Sequence, residues 1–324
     1  MRPGGACAGR LRTTHCRAVP ELPEVEIASR QLRGWAKGRR IVAAKAERSR
    51  VIRGQSPQRF AQLSGHRLED VERFGKWMLL RFDAGEGLLS HLGMTGKWIR
   101  RDREAAPPSH VRATVELEDG HALDYRDPRL FGRLVRGKVE QLRKLPALSA
   151  LGPDPLGGID ADRLSQVLRK TRRSLKEALM DQRTLAGLGN IQVSEALHRA
   201  GLHPERLGVS IAPDEVTQLI KGIGDALRAA LEGEDSPEPI TYVEEGGENI
   251  FLVYDREGSP CSNCGTPIER IVQGGRSTYF CPHCQPLRVR RGVGARTGAG
   301  RAMLAAARPL DDRPRGRRQA QRRP

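Results

Sequence analysis

A chain of 324 residues with 38% hydrophobic content can bury two or three separate cores, and with no apolar run of about 18 residues it has no candidate transmembrane helix. The net charge of +17 favours a polyanionic partner, but most of it lies at the two ends. Residues 288–324 hold twelve Arg against two Asp and residues 1–18 hold four Arg and no acid, which leaves +3 for residues 19–287. Arg-rich ends read as solvated tails, so charge alone does not establish nucleic-acid binding. The leader lacks the apolar segment of a signal peptide, and a cytoplasmic protein is expected.

Taken in order, the chain first offers Val19-Pro20-Glu21-Leu22-Pro23-Glu24-Val25-Glu26. Pro23 suits the first turn of a helix, and Glu24 and Glu26 suit the positive end of its dipole. Val25, Ala28, Leu32 and Trp35 then share one face, predicting a helix over 24–36. The stretch reads equally as a capped core helix or, if Pro20 begins the working chain, as a free secondary amine beside the acid Glu21. Residues 38–140 are predicted all-β, with short runs at 39–46, 67–73, 77–83, 88–91, 98–101, 111–118 and 122–125 between Gly, Asp and Pro clusters. Such spacing suggests a sandwich or barrel. Lys76 reads as a phosphate clamp or a solvated strand lysine. The loops His91–Gly96 and Asp127–Gly132 carry Met94, Arg129 and Phe131, which are core residues or a wedge that fills the gap left by an extruded base.

Residues 151–158 have the composition of a linker, and the pattern after them is helical. Asp160 can cap a helix with Leu164, Val167 and Leu168 inward, and Ser174 another with Ala178, Leu179, Gln182 and Leu185. A helix after Gly187-Leu188-Gly189-Asn190 runs through Arg199, and a last one spans Pro213 to about Leu231. Gly187–Asn190 offers backbone N–H groups to an anion, with Asn190 in reach of a phosphate. The upstream basic stretch containing Lys170 and Arg172 has the composition of a phosphate contact. Residues 233–250 read as an acidic loop, and Phe251–Tyr254 and Thr278–Phe280 as strand-like.

Six cysteines include Cys261-x-x-Cys264 and Cys281-x-x-Cys284, separated by sixteen residues. In a cytosolic protein this spacing reads as one tetrahedral, closed, structural zinc site. The hairpin between the pairs, turning at Gly274-Gly275, would carry Arg270 and Arg276 in its tip region.

Five signals in order, Pro20–Glu26, His91–Gly96, Asp127–Gly132, Gly187–Ile191 and the four-cysteine finger, resemble the bacterial formamidopyrimidine-DNA glycosylases over residues 19–285. The resemblance implies an α+β multidomain fold: an N-terminal β-sandwich with a long N-terminal helix, a helix–two-turn–helix domain and a zinc-finger hairpin. The expected boundaries are 1–19 for a leader outside the working chain, 20–150 for the catalytic sandwich, 151–235 for the helical DNA-binding domain, 236–250 for a lesion-recognition loop, 251–287 for the finger and 288–324 for a disordered basic tail. It also implies roles. Pro20 matches the nucleophilic N-terminal proline, Glu21 the acid that protonates the opening sugar, and Lys76 and Arg276 residues of the elimination steps. Met94, Arg129 and Phe131 match the void-filling trio, and Asn190 a phosphate contact.

Proline as nucleophile needs a free amine, so translation is expected to start at Val19, read as initiator Met and removed. Leu130 stands in place of a second Arg, Gln192 in place of a common Tyr, and Pro108 where a DNA-contacting His is found; residues 233–250 lack the family's usual segment. The implied function is excision of oxidised purines, with strand nicking by β,δ-elimination, by a cytoplasmic, nucleoid-associated monomer acting on double-stranded DNA with one zinc. The alternatives are an endonuclease VIII-like enzyme for oxidised pyrimidines or, with the leader retained, a non-catalytic DNA-binding protein.

Overall fold

The structure, a computed structural model, describes residues 20–232 and 251–287. The expected leader, the lesion-recognition loop at 236–250 and the tail at 288–324 lie outside the described residues.

Helix α1 (Leu22–Ala36) starts where Pro23 and the acids of the first turn favour it. The Glu24 carboxylate reaches back to the Glu21 N–H at 2.9 Å, satisfying an amide the helix leaves unpaired. The helix packs Val25, Ala28, Leu32 and Trp35 into a sandwich core. That core lies between two antiparallel four-stranded sheets. One has the order β1 (Ile41–Ala46), β6 (Val111–Leu117), β7 (His121–Arg126), β5 (Lys97–Asp102). The other runs β2 (Leu68–Phe74), β3 (Trp77–Phe82), β4 (Glu86–His91), β8 (Arg133–Lys138). Short helix α2 (Pro57–Ala61), capped by Ser56, closes one end with buried Phe60. Strand β8 is absent from the sequence reading, because Arg133-Leu134-Val135-Arg136-Gly137-Lys138 has too few apolar residues to alternate. Its pairing with β4, Leu134 opposite Ser90, makes it a strand.

Helices α3 (Val139–Arg143) and α4 (Pro146–Ser149) lead into the linker. The helical domain comprises α5 (Ala161–Arg169), α6 (Leu175–Met180), α7 (Asn190–Arg199) and α8 (Pro213–Leu231), with Asp160 and Ser174 capping α5 and α6 as expected. Val167 is a correction. It is 38% exposed, and Leu164 and Leu168 alone turn inward. Leu22 belongs to this second core, although it stands at the start of α1.

The finger is the hairpin β9 (Glu269–Gln273) and β10 (Arg276–Phe280), turning at Gly274-Gly275. Arg276 pairs with Gln273 beside the turn. Arg270 pairs with Tyr279 near the base, so only Arg276 is at the tip. Phe251–Tyr254 is not a strand. The amides of Leu252, Val253 and Tyr254 are taken at 2.9–3.0 Å by the buried Glu195 carboxylate of α7, so no ladder partner is available.

Candidate active site

Glu21 is 2% exposed, a burial an acid tolerates only with partners. Its carboxylate accepts the N–H groups of Gly189 at 3.1 Å, Ile191 at 2.9 Å and Gln192 at 2.9 Å. These are the unpaired amides at the N-terminus of α7, where the dipole favours an anion. The amides expected to receive an outside phosphate are therefore filled by the chain's own acid. Leu22 N–H donates to Gly187 O at 3.0 Å, which fixes Pro20 and Glu21 between sandwich and helical domain. A methyl on Gly187, whose φ is +90°, would come within 2.7 Å of Leu22, so glycine permits this close approach.

Lys76 sits in the β2–β3 turn, whose Gly75 abuts Ala186 and Gly187. A methyl built on Gly189 would fall 2.2 Å from Glu21 Oε1 and 2.6 Å from Lys76 Nζ, so acid and amine flank one backbone carbon. Arg73 anchors this turn. Its Nε bonds Glu26 at 2.7 Å, its Nη2 bonds Asp154 of the linker at 3.0 Å, and Nη1 reaches Gly75 O at 3.2 Å. Glu24 completes the cluster. Burial, then the Glu21 charge, pushes its carboxyl up to about 7. His91, the last residue of β4 and opposite Trp77 of β3, is driven down to about 4 by burial and by the charges of Lys76 and Arg133. It is therefore neutral at pH 7, with Nδ1 accepting the Gly93 N–H at 2.9 Å.

The loops His91–Gly96 and Asp127–Gly132 lie together. Asp127 is fully buried and accepts from Thr95 Oγ1 at 2.7 Å, Arg129 N–H at 3.2 Å and Gly132 N–H at 2.7 Å. A methyl on Gly93 would meet the Phe131 carbonyl carbon at 2.5 Å, so the loops touch backbone to backbone. Phe131 is held out, 49% exposed, with the Arg129 guanidinium 5.0 Å from its ring centre, a cation–π contact. Met94 is half-buried in the adjoining loop.

Asn190 opens α7. Its Nδ2 donates to Ser277 O at 2.9 Å and lies 3.4 Å from the Tyr254 hydroxyl, while Oδ1 is buried without a partner. Gripping a phosphate would require it to release one of these contacts. Arg276 is exposed and shares a cavity of about 300 Å³ with Lys176, Glu177, Met180 and Gln273. Lys170 and Arg172 are exposed near the end of α5, and no hydrogen bond or ion pair among the described residues joins them to Glu21, Lys76 or Arg276. Of their neighbours, Arg173 pairs with Asp181 at 3.1 Å, and Lys176 is buried rather than presented to a partner.

The sulfurs of Cys261, Cys264, Cys281 and Cys284 all lie within 4.8 Å of one another, with contacts of 3.5–3.9 Å. Four thiolates about 2.3 Å from a tetrahedral zinc would be about 3.8 Å apart, so the set fits one structural zinc. Around them, His198 Nε2 lies 3.5 Å from Cys261 Sγ, and buried Gln285 bridges Cys281 N–H to Leu202 O. Glu195 and Arg73 were given no role by the sequence, while Asp127 stood there only before a proline in a tight loop and Lys176 only as the last cation of the basic stretch 169–176, which its burial corrects.

A β-sandwich and a helical domain that close on a buried acid, with a zinc hairpin placing an arginine at its tip, define a zinc-finger DNA-processing enzyme. The comparisons specify it. Residues 19–134 match the formamidopyrimidine-DNA glycosylase N-terminal domain, 151–238 the H2TH domain of the same glycosylase, and 258–287 the zinc finger found in FPG and IleRS. The formamidopyrimidine-DNA glycosylase of Bacillus licheniformis is 41% identical over 82% of this chain and 99% of its own, and that of Bacillus subtilis is 39% identical over 82% and 99%. The MutM (Fpg) structure from Thermus thermophilus superposes with a TM-score of 0.72 at 36% identity, covering 82% of this chain and 98% of that one. Lactococcus lactis Fpg bound to DNA containing N7-benzyl-Fapy-dG gives a TM-score of 0.75 at 31% identity, covering 82% and 100%. The chain belongs to the formamidopyrimidine-DNA glycosylase family: it is a DNA-repair glycosylase with AP lyase activity. No helix among the described residues is long and apolar enough to cross a membrane.

Proposed function

We propose that this enzyme excises oxidised purines from duplex DNA through the amine of Pro20 and then nicks the strand by β- and δ-elimination. The observation that carries this reading is the Glu21 carboxylate, fixed by three amides of α7 and flanked by Lys76, immediately after Pro20. The Pro20 nitrogen attacks C1′ of the flipped nucleotide, and the C1′–N bond to the base breaks as the base departs. The Pro20 nitrogen gives up its proton as the bond to C1′ forms, and Glu21 takes that proton and passes it to the sugar oxygen as the ring opens, leaving an iminium between Pro20 and C1′. The iminium draws electrons from C2′, which loses a proton. The 3′ phosphate leaves first; C4′ of the resulting conjugated iminium then loses a proton and the 5′ phosphate leaves, with Lys76 and Arg276 at the phosphates. Extruding a base costs a few kcal/mol, which Met94, Arg129 and Phe131 offset by occupying the vacated space. Asn190, Lys170 and Arg172 act on the DNA backbone, and zinc supplies structure to the finger without entering the reaction.

The chemistry requires Pro20 at the N-terminus, because an acylated proline nitrogen has no lone pair to give. In support, the family match starts at residue 19, and relatives are covered over 99% or more of their length by 82% of this chain. The test is borohydride trapping on an 8-oxoguanine duplex, comparing a chain that begins at Pro20 with the 324-residue chain. The expected result is a covalent adduct from the first only. An adduct from both, or from neither, overturns the proline reading. Mass spectrometry of the native protein gives its first residue, and Pro20 is expected. Substrate preference is read in the same assay by substituting oxidised pyrimidines, which should be excised more slowly than 8-oxoguanine.

A further inference from the structure

Strand β10 is gripped at one carbonyl. Ser277 O accepts Asn190 Nδ2 at 2.9 Å and Lys176 Nζ at 3.1 Å, and Lys176 also donates to Thr278 Oγ1. The donors come from α7 and α6, and the acceptor directly follows Arg276. Lys176 is 1% exposed and Thr278 is fully buried. An ammonium in such a place is expensive unless it is paired with an acid. Among the described residues Lys176 has no salt bridge, and the carboxylates of Glu21 and Glu177 act on it only through space. As a stabilising device a lysine here is inferior to an apolar residue of similar volume. What it supplies is direction: two hydrogen bonds that fix the height of β10 beside the finger tip.

We propose that Lys176 is a positioning residue, whose Nζ together with Asn190 Nδ2 clasps the Ser277 carbonyl and so sets where Arg276 meets the DNA backbone. This rests on the assignment of Arg276 to the elimination steps. The charged groups facing Lys176 are Glu21 at the domain junction, Glu177 on α6 and Arg276 on β10, with Arg173 and Asp181 lining the same cavity. Burial pushes Lys176 down to about 7, so the charged form of the clasp is lost as pH rises through neutrality. The clasp is then held by a neutral amine, a weaker donor.

The test uses the enzyme beginning at Pro20 on an abasic-site duplex, with borohydride trapping and separation of the β- and β,δ-elimination products. Lys176→Met is expected to trap normally and keep its zinc. Its δ-to-β product ratio should fall about tenfold to a hundredfold, the scale of a 1 Å misplacement. Thr278→Val should lower the ratio less, and the wild-type ratio should drop above about pH 7 while Lys176→Arg stays flat. A wild-type ratio in Lys176→Met, or equal loss of trapping and both products, overturns the proposal. Should Lys176→Met fail to fold, an unchanged ratio in Thr278→Val with a pH step retained in Lys176→Arg overturns it. If the wild-type enzyme forms no adduct, the proline reading is what fails. The clasp is then decided by hydrogen exchange at the amides of Ser277–Phe280, which Thr278→Val accelerates if the clasp holds and leaves unchanged if it does not.

Discussion

Gly189→Ala tests the geometry on which the catalytic reading depends. Gly189 has φ −133° and ψ −157°, an extended conformation open to any residue, so alanine introduces no backbone strain. The whole effect comes from the added methyl, which would lie 2.2 Å from Glu21 Oε1 and 2.6 Å from Lys76 Nζ. Restoring an ordinary contact of 3.4 Å moves the carboxylate by about 1.2 Å, which stretches its bonds to the α7 amides. Overpacking of this kind costs about 1–3 kcal/mol of stability. A reacting group displaced by about 1 Å loses up to about a hundredfold in rate. Single-turnover excision of 8-oxoguanine should therefore slow by about one to two orders of magnitude, with a fall in Tm of several degrees. Binding of a duplex with an uncleavable abasic analogue should change little, because Arg276, Met94 and Phe131 are untouched. Wild-type excision in a folded Gly189→Ala protein would refute the argument, since the acid would then not be held where the methyl falls.

Glu24 is raised from 4.5 to about 7 by burial and the Glu21 charge, so the folded state keeps its proton longer than the unfolded chain. Its contribution erodes stability as pH rises from 4.5 to 7, by at most about 3 kcal/mol and less for the part that solvent reaches. Glu24→Gln should gain on wild type across that window in urea titrations at stepped pH. His91 has the opposite sign: lowered from 6.5 to about 4, it costs stability as pH falls through that range, and His91→Gln should gain on wild type there. Asp127→Ala leaves Thr95 Oγ1 and two loop amides without their acceptor, at about 1–3 kcal/mol each where water cannot substitute. Excision from a paired 8-oxoguanine should then fall more than cleavage at an abasic site, where no base has to be extruded. Chelation should remove one zinc per chain, lower Tm and abolish duplex binding; a variant Cys264→Ser should reproduce this in atomic absorption and gel-shift assays.

The local elements follow from local rules that the sequence states directly. Helix α1 is set by Pro23 and the apolar face from Val25 to Trp35, α5 and α6 by the caps Asp160 and Ser174, and the finger by cysteine spacing. The pairing of Pro20 with the acid Glu21 and the order of the motifs were likewise legible, because the two residues are adjacent in the chain. Strand β8 and the turn at 251–254 were not, because each depends on a distant partner: the edge of β4 for one and the Glu195 carboxylate for the other.

The occupant of the Gly187–Asn190 turn is the clearest case. Sequence marks an N-terminus that wants an anion, but not which anion. Only the fold delivers Glu21 to it across 168 residues of separation. The same limit hid Lys176, which reads as one more surface cation until packing buries it against Ser277 and Thr278. Local propensity and chemistry are written in neighbouring residues. Burial, charge pairing and the position of a reactive group depend on which distant segments meet, and tertiary packing decides that.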